Sequence, residues 1–439
     1  MDDWIPPRLR ALLGSSLREV GVDEINRLVG LSEDGDLEFK SEIYGRSDGE
    51  KREAALDLAC LANAGGGLVV FGLDEDGEGV ATALRPDISG GDFLLWLDQI
   101  AASRISPLLS FSTIRIETEG GSLYLASVPP SMRRPHSVTS GDTLRFPIRA
   151  GRHRRYLSES EIADHYGRRF EAVAERSSHL DQLIVEGRTF ASRGEERWIW
   201  LILALVPDVP GELRLNGRLV SDWQEWVSRR LRDFPCYNQR NARYSAAVGF
   251  RSIVIHDSID SHPTLYRMGG ELKLDGRGFL VFGYLGGDGD VGASAGSLHL
   301  YDEFVVADLI NGLGVLAEHA RRTGSSGEVE VAAQIIRPSE PLTLNQYRGW
   351  MPGMLPGSRG LVQDVEPVRR TFTIDGSADA GPEQVGNVRL LAGDMFSAFG
   401  VAEPLQINDR FQLIEAGFHA ADTWPGAKNW AERNGVGLA

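Results

Sequence analysis

Acidic side chains flank two strand-like runs near the start of the chain. Glu33 lies five residues before Glu38 in EDGDLEFK, and Asp74, Glu75 and Asp76 end the run LVVFGLDED. If the two runs form neighbouring strands, about 5 Å apart, the carboxylates at their ends converge. Closely spaced carboxylate oxygens bind Mg²⁺ or Mn²⁺, and such an ion can polarise a phosphodiester and generate a hydroxide nucleophile. The pattern therefore predicts a catalytic metal site formed by Glu33, Glu38, Asp74 and Glu75.

A lysine accompanies this acidic group. Lys40 follows Glu38 by two residues, so the two side chains share a strand face if LEFK is extended. An ammonium group placed there could stabilise the charge that develops on a phosphate during cleavage, which makes Lys40 a further candidate catalytic residue. The alternative stays open, because acidic residues before a strand and in a DEDG turn are often solvated turn formers.

A second group of residues is basic. The stretch from Ser131 to Tyr156 contains seven arginines and a single acidic residue, Asp142. Strand alternation in RFPIRAGRHRRY predicts that Arg145 and Arg149 share one face, beside the backbone amides of the Ala150-Gly151 turn. Guanidinium groups in such an array bind phosphates, although arginines on an exposed strand pair can also serve only solubility. The predicted nucleic-acid-binding residues are Arg133, Arg134, Arg145, Arg149, Arg152, Arg154 and Arg155.

The glycine-rich segment NAGGG offers a weaker nucleotide site. Asn63, Gly65 and Gly66 could present polar groups to a phosphate of ATP, but the spacing matches neither GxGxxG nor GxxxxGK[ST]. A tight turn from a helix to a strand, with a glycine in the left-handed region, explains the segment better. Asn63 would then cap or brace the turn.

The elements that must position these residues predict an α/β (α+β) fold in which helices flank a mixed sheet. The helix ending at NAGGG has Glu53 and Asp57 on a face predicted to contact water. A capping box, Ser158 with Glu161, begins a helix after the arginines. The predicted elements are short helices within 8–30, a strand at LEFK, a helix that begins near 49 and stops within 63–67, a buried strand at LVVFGL, a helix over 91–104, strands over 111–117 and 122–128, and a strand pair over 143–156.

A length of 439 residues predicts two or three domains. The predicted boundaries give a domain over 1–175, an unassigned α+β domain over 176–330, and an irregular or α+β region over 331–439 that could also be part of the second domain. In the second domain, residues 195–206 fit either a strand or a buried helix. Trp223 and Trp226 lie on a predicted amphipathic helix, as partner anchors or as core residues.

The formal net charge of −16 argues against a protein that coats nucleic acid without specificity, but it allows a local basic site. No segment approaches the ~20 apolar residues that cross a bilayer, so no membrane association is predicted. Cys60 and Cys236 are far apart in the chain, and neither lies in a metal-binding cluster. A cytoplasmic location is predicted.

Taken in order, these motifs resemble the Schlafen family domain, a divergent AlbA-like domain. The resemblance covers about residues 25–170. It rests on Glu33 with LEFK, LACLANAGGGLVVFGLDEDGEG (58–79), PPSMRRPH (129–136) and RFPIRAGRHRRYLSESEI (145–162). Members of this family are described as DNA-binding or ATP-binding. Vertebrate members of this type cut tRNA and rRNA with three carboxylates, which implies those roles for Glu33, Glu38 and the Asp74/Glu75 pair. Glu75 departs from the nuclease pattern, which has a second aspartate there.

The leading hypothesis is a metal-dependent endonuclease that acts on structured, tRNA-like RNA with Mg²⁺ or Mn²⁺, so RNA is expected over DNA as the partner. A second hypothesis is a non-catalytic module that binds DNA or a nucleotide such as ATP, with a C-terminal region that regulates or recruits partners, as in transcription control or phage defence. A third is an interaction protein that self-associates into a homo-oligomer.

Overall fold

The structure is a computed structural model with two compact units, residues 1–175 and 176–439. It describes residues 4–14, 16–86, 91–192, 198–213, 215, 217–235, 244–257, 266–285, 298–336, 341–346, 357–360, 366–418 and 423–439. Cys236 lies outside the described residues. The fold is α+β, as predicted.

The first unit begins with short helices and continues with alternating strands and helices. Its helices are α1 (Arg10–Leu13), α2 (Val22–Asn26), α3 (Asp48–Ala64), α4 (Phe93–Arg104) and the first part of α5 (Glu159–Ala191). Its strands are β1 (Leu37–Lys40), β2 (Gly67–Phe71), β3 (Leu73–Glu75), β4 (Ala81–Leu84), β5 (Ile105–Ser106), β6 (Ser112–Thr118), β7 (Gly121–Val128), β8 (Ser137–Ser140), β9 (Thr143–Arg145), β10 (Pro147–Ala150) and β11 (His153–Tyr156).

A four-stranded sheet in the order β1-β2-β7-β6 forms the centre of this unit. β1 and β2 pair in parallel, with Glu38 opposite Val69, so the predicted neighbours LEFK and LVVFGL are confirmed. Successive residues of β2 point to opposite faces: Val69 packs against α3 and α4, and Val70 packs against the N-terminal helices. Both faces are therefore covered, which explains why this strand is continuously apolar.

Three small sheets surround the central one: β3-β4, β5-β8-β9 and β10-β11. The last is the hairpin predicted around Ala150-Gly151. The segment before it does not form one strand, because β9 ends at Arg145 and β10 begins at Pro147. The prediction that Arg145 and Arg149 share a strand face is therefore wrong. Pro147 cannot donate a backbone hydrogen bond, and the chain changes sheets at this point.

Two capping boxes fix the helices that border the arginines and the acidic residues. At the start of α3, the Ser47 hydroxyl accepts from the Glu50 N–H, and Glu50 reaches back to the Ser47 N–H. The predicted box of Ser158 and Glu161 is present before α5, with the same two reciprocal contacts.

The second unit contains the rest of α5 and a mostly antiparallel set of strands. Its remaining helices are α6 (Gly217–Arg230), α7 (Asp302–Arg322), α8 (Ile374–Ala378), α9 (Pro382–Ser397) and α10 (Thr423–Arg433). Its strands are β12 (Trp198–Val209), β13 (Tyr244–Gly249), β14 (Ser252–Asp257), β15 (Tyr266–Lys273), β16 (Gly278–Leu285), β17 (Leu298–Tyr301), β18 (Ser326–Ile336), β19 (Leu342–Gln346), β20 (Gly357–Gly360) and β21 (Val368–Thr373).

The main sheet of the second unit has the order β13-β14-β15-β16-β12-β18-β21. The segment 195–206, left open between strand and helix, forms the buried central strand β12. For residues 331–439 the sequence allows either an irregular or an α+β region, and in their described part β21 joins this sheet and α9 packs in the same core. Trp223 and Trp226 are buried in that core, so they are core residues rather than exposed anchors. Within the described residues, no helix has the length and apolar character needed to cross a membrane.

Candidate functional site

Glu38 is the centre of a charged network on β1. The side chain is buried, and its Oε1 lies 2.5 Å from the Nζ of Lys40, two residues along the same strand face. Burial disfavours the ammonium group of Lys40, but the attraction of Asp57 and Glu38 outweighs that effect and raises the pKa of Lys40. Lys40 is therefore a permanent counter-ion of Glu38 at neutral pH.

Arg149, from the β10-β11 hairpin, is the second counter-ion. Its side chain is only 6% exposed, and its guanidinium group forms an ion pair with Glu38. The same group donates to the carbonyl oxygens of Asp34, at 3.0 Å, and Leu37, at 3.2 Å. It also lies 3.7 Å from Glu33 Oε2. Arg149 thus joins the two predicted catalytic glutamates and ties the hairpin to β1.

Glu33 precedes β1 and folds back toward it. Its Oε1 accepts a hydrogen bond of 2.8 Å from the N–H of Phe39. The pKa of Glu33 is raised, chiefly because burial disfavours the charged carboxylate, and the charges of Glu38 and Glu75 raise it further. The Phe39 N–H and Arg149 oppose this effect without cancelling it. Glu33 is thus a carboxyl group whose pKa is raised mainly by burial and further by neighbouring carboxylates.

The network extends to Asp57 on α3. This side chain is 12% exposed, accepts a 2.7 Å hydrogen bond from the Tyr44 hydroxyl, and pairs with Arg154 at 3.1 Å and Lys40 at 3.3 Å. The prediction that Asp57 faces water is wrong, because α3 packs against β10 and that polar face is covered. Glu53, one helical turn earlier, pairs with the same Arg154 at 2.8 Å.

The two acidic residues of β3 are placed differently from each other. Asp74 is partly exposed, and its carboxylate lies 3.7 Å from the guanidinium group of Arg85. Glu75 is exposed, but its charge reaches Glu33. Of the four predicted metal ligands, Glu33, Glu38 and Glu75 thus share one region, while Asp74 pairs with a cation outside it.

The arrangement does not fit a divalent metal. Within the residues that the structure describes, no group of three or more His, Cys, Asp or Glu side chains is placed to hold a metal ion. Both oxygens of Glu38 are engaged, one by Lys40 and the other by Arg149. These two cations provide the positive charge that a metal would otherwise supply. Mg²⁺ or Mn²⁺ remains a prediction from sequence.

The predicted phosphate-binding arginines divide into two sets. Arg149, Arg154 and Arg155 are paired with carboxylates, the last with Glu161 at 2.6 Å. In the other set, Arg145 and Arg152 form no ion pair with a carboxylate of the described residues. Arg145 stacks on the Tyr156 ring, 5.2 Å from its centroid, and Arg152 lies against Gly79 in the β3-β4 turn.

Residues 33–158 match the family model described as Schlafen, AlbA_2. This part of the chain is a Schlafen-type AlbA_2 domain. The predicted resemblance is therefore confirmed for the N-terminal portion, and the match suggests a nucleic-acid-related function for it.

Two solved structures resemble the chain over a similar length. One is the DIP2311 protein from Corynebacterium diphtheriae, with 20% identity over 30% of this chain and a TM-score of 0.22; the match spans only 27% of that protein. The other is the N-terminal domain of a "Putative ATP-dependent DNA Helicase RecG-related Protein" from Nitrosomonas europaea, with 19% identity over 31% of this chain and 86% of that one, and a TM-score of 0.23. No curated protein matches the chain.

Asn63 is an internal brace of the Schlafen-type domain. The side chain is 1% exposed. Its amide donates to the carbonyl oxygens of His136, at 2.9 Å, and Pro147, at 2.7 Å, and its Oδ1 accepts from the His136 N–H at 2.7 Å. The amides of Gly65 and Gly66 both donate to the Leu61 carbonyl, and both glycines have positive φ. These contacts are those of a helix-to-strand turn, which leaves ATP binding there a prediction without geometric support.

The acidic network of the Schlafen-type domain contains members that sequence patterns did not single out. Glu53 and Asp57 are four residues apart in a helix, so their carboxylates share one face and require a common cation. That spacing was visible in the sequence. The identity of the cation, Arg154, depends on how the hairpin docks on α3, which no local pattern gives.

Proposed function

We propose that the Schlafen-type domain binds the phosphate backbone of nucleic acid through the guanidinium groups of Arg145 and Arg152. The observation that supports this proposal is that these two side chains are exposed. Arg149 and Arg154, in contrast, form ion pairs with Glu38 and Asp57. An arginine without a carboxylate partner has its donors free for a phosphate, and no neighbouring anion neutralises its charge.

Arg149 has a different role in this proposal. To bind a phosphate it would have to leave Glu38, and breaking a buried pair by removing one partner costs several kcal/mol. Because it also donates to two backbone carbonyls, Arg149 holds the hairpin in place. We therefore assign it to positioning, and assign phosphate contact to Arg145 and Arg152.

Fluorescence anisotropy with a labelled RNA hairpin and a labelled DNA duplex, measured over a range of salt concentrations, tests this proposal. The double variant Arg145→Ala/Arg152→Ala should weaken binding and lower the slope of log K against log[salt] by about two. Arg52→Ala is the matched control, since Arg52 is an exposed arginine of α3 and lies outside β9 and the β10-β11 hairpin. Salt-independent binding, or an equal loss in the control, would contradict the proposal. The ratio of the two affinities decides between RNA and DNA.

A second candidate function is cleavage of structured, tRNA-like RNA at Glu33 and Glu38. The observation that favours it is that Arg149 lies against both Glu33 and Glu38, and that burial, with the charges of Glu38 and Glu75, raises the pKa of Glu33. Carboxyl groups perturbed in this way are typical of catalytic acids and bases. Lys40, paired with Glu38, would stabilise charge on the phosphate in this candidate.

Incubation of the full chain with tRNA, in Mn²⁺ and separately in EDTA, tests this candidate. Glu33→Gln should abolish cleavage, while Glu119→Gln, an exposed glutamate in the β6-β7 turn, should not. Equal cleavage by wild type and Glu33→Gln would eliminate the site. Cleavage that persists in EDTA would show that Lys40 and Arg149 replace the metal.

A further inference from the structure

Three arginines outside the hairpin act electrostatically on one region: Arg168 on Arg134, and Arg169 on His136, two residues further along the loop. Arg134 belongs to the loop between β7 and β8, and Arg168 and Arg169 lie on α5. Burial lowers the pKa of Arg134, and the nearby charge of Arg168 lowers it further. Within the described ranges, none of the three forms an ion pair with a carboxylate. Repulsion of this kind destabilises the free protein slightly and favours binding of an anion.

Two aromatic rings lie beside these arginines on the same helix. Phe170 follows Arg169 directly and is 68% exposed, one of the most exposed large apolar side chains of the chain. The Tyr166 ring lies 6.4 Å from it, with 23° between the ring planes. A stacked aromatic pair with one exposed ring, Phe170, and one half-buried ring, Tyr166, beside guanidinium groups resembles the stacking platforms on which unpaired bases bind.

We propose that this cationic–aromatic surface, formed by Arg134, Arg168, Arg169, Tyr166 and Phe170, binds single-stranded nucleic acid. The inference rests on the nucleic-acid binding proposed above and specifies its substrate class. The arginines contact phosphates, and the two rings stack on bases. A duplex keeps its base faces within its own stack, so only an unpaired base reaches Phe170. The same helix also carries exposed carboxylates at Glu159, Asp164, Glu171 and Glu175, outside the five residues of the proposed surface.

The loop that presents Arg134 is held in place before any ligand binds. The buried ring of His136 contacts the Pro107 carbonyl at 2.9 Å through Nδ1 and the Ser131 hydroxyl at 2.7 Å through Nε2. The Asn63 side chain also bonds both the carbonyl oxygen and the N–H of His136. Preorganisation reduces the ordering cost of binding, which favours affinity.

Anisotropy with labelled oligo(U), oligo(dT) and a blunt duplex, each about 20 nucleotides long, tests the inference. Phe170→Ala should weaken binding of both single strands by about fivefold to 100-fold, the range measured for loss of one base–aromatic stack, and change duplex binding by less than about twofold. Phe170→Tyr should restore single-strand binding. Val173→Ala is the matched control, since Val173 is 47% exposed on the same helix and has no ring.

The outcomes separate this inference from the function on which it rests. If Phe170→Ala and Val173→Ala behave alike while Arg145→Ala/Arg152→Ala loses salt-dependent binding, the inference is overturned and the proposed function stands. An equal loss for duplex and single strand also overturns it. A change of molar mass in light scattering on Phe170→Ala, with unchanged nucleic-acid affinity, would identify a self-association surface instead. Absence of nucleic-acid binding by the wild type would remove both proposals.

Discussion

Replacement of Asn63 by alanine is the sharpest test of how the Schlafen-type domain is held together. The side chain makes three hydrogen bonds, two donated and one accepted, all to backbone groups of His136 and Pro147. It joins the end of α3 to the loop that carries Arg134 and to the first residue of β10. Truncation removes all three contacts at once.

The expected loss follows from the geometry. Each net hydrogen bond contributes about 1 kcal/mol, and a stranded buried donor or acceptor adds to the cost, so Asn63→Ala should lower the free energy of unfolding by about 3–5 kcal/mol. Asn63→Asp should be at least as damaging at neutral pH. It keeps an acceptor for the His136 N–H but turns a carboxylate oxygen toward two carbonyl oxygens. Asn26→Ala, at an exposed position of α2, should change stability by less than about 0.5 kcal/mol.

Hydrogen exchange measured by mass spectrometry on the full chain locates the effect. Peptides covering residues 131–136 and 147–150 should exchange faster in Asn63→Ala than in wild type, and urea unfolding should give the free-energy difference. A loss below about 1 kcal/mol with unchanged exchange in those peptides would refute the bracing role.

Three further predictions concern buried groups. Glu38→Gln removes the counter-ion shared by Lys40 and Arg149, so it should lower the free energy of unfolding of the domain by about 3–5 kcal/mol. A double-mutant cycle measured by urea unfolding tests the coupling, which a smaller loss in Glu38→Gln/Arg149→Met would confirm. Burial lowers the pKa of His136 from 6.5 to about 4, so between these values the unfolded chain binds a proton that the folded chain does not. Stability should therefore fall by about 3 kcal/mol as the pH drops from 6.5 to 4, and His136→Gln should show a flatter urea-midpoint profile. Burial raises the pKa of Cys60 to about 12, so its thiol should resist iodoacetamide at pH 8 in the native state and react in urea, as read by mass spectrometry.

Much of the fold of the first unit follows from local sequence patterns. The apolar run of β2 indicated a strand covered on both faces, and the parallel pairing with β1 confirms that it lies next to LEFK. Ser158 and Glu161 marked the start of α5 correctly. Patterns of this kind succeed because capping and alternation depend on residues only a few positions apart.

The candidate site was harder to predict because its contacts join distant segments. Asp57 looked solvent-facing on its helix, and only the docking of the hairpin shows that Arg154 covers it. Arg149 looked like a phosphate ligand, but its guanidinium group is buried against Glu38. The sequence therefore identified the charged residues, but tertiary packing determines which of them are exposed and which are buried in ion pairs.

Helix α3 carries both Asp57, which belongs to the acidic network, and Asn63, which bonds the loop that carries Arg134. The two residues are six positions apart, or about 9 Å along the helix axis. A rigid segment of this length transmits an axial shift with little loss. A polyanion that pulls on the loop would then alter the ion pairs of Asp57, and a change in those ion pairs would, by thermodynamic reciprocity, change affinity at the loop to the same degree. The two regions would respond to a ligand as a single linked system.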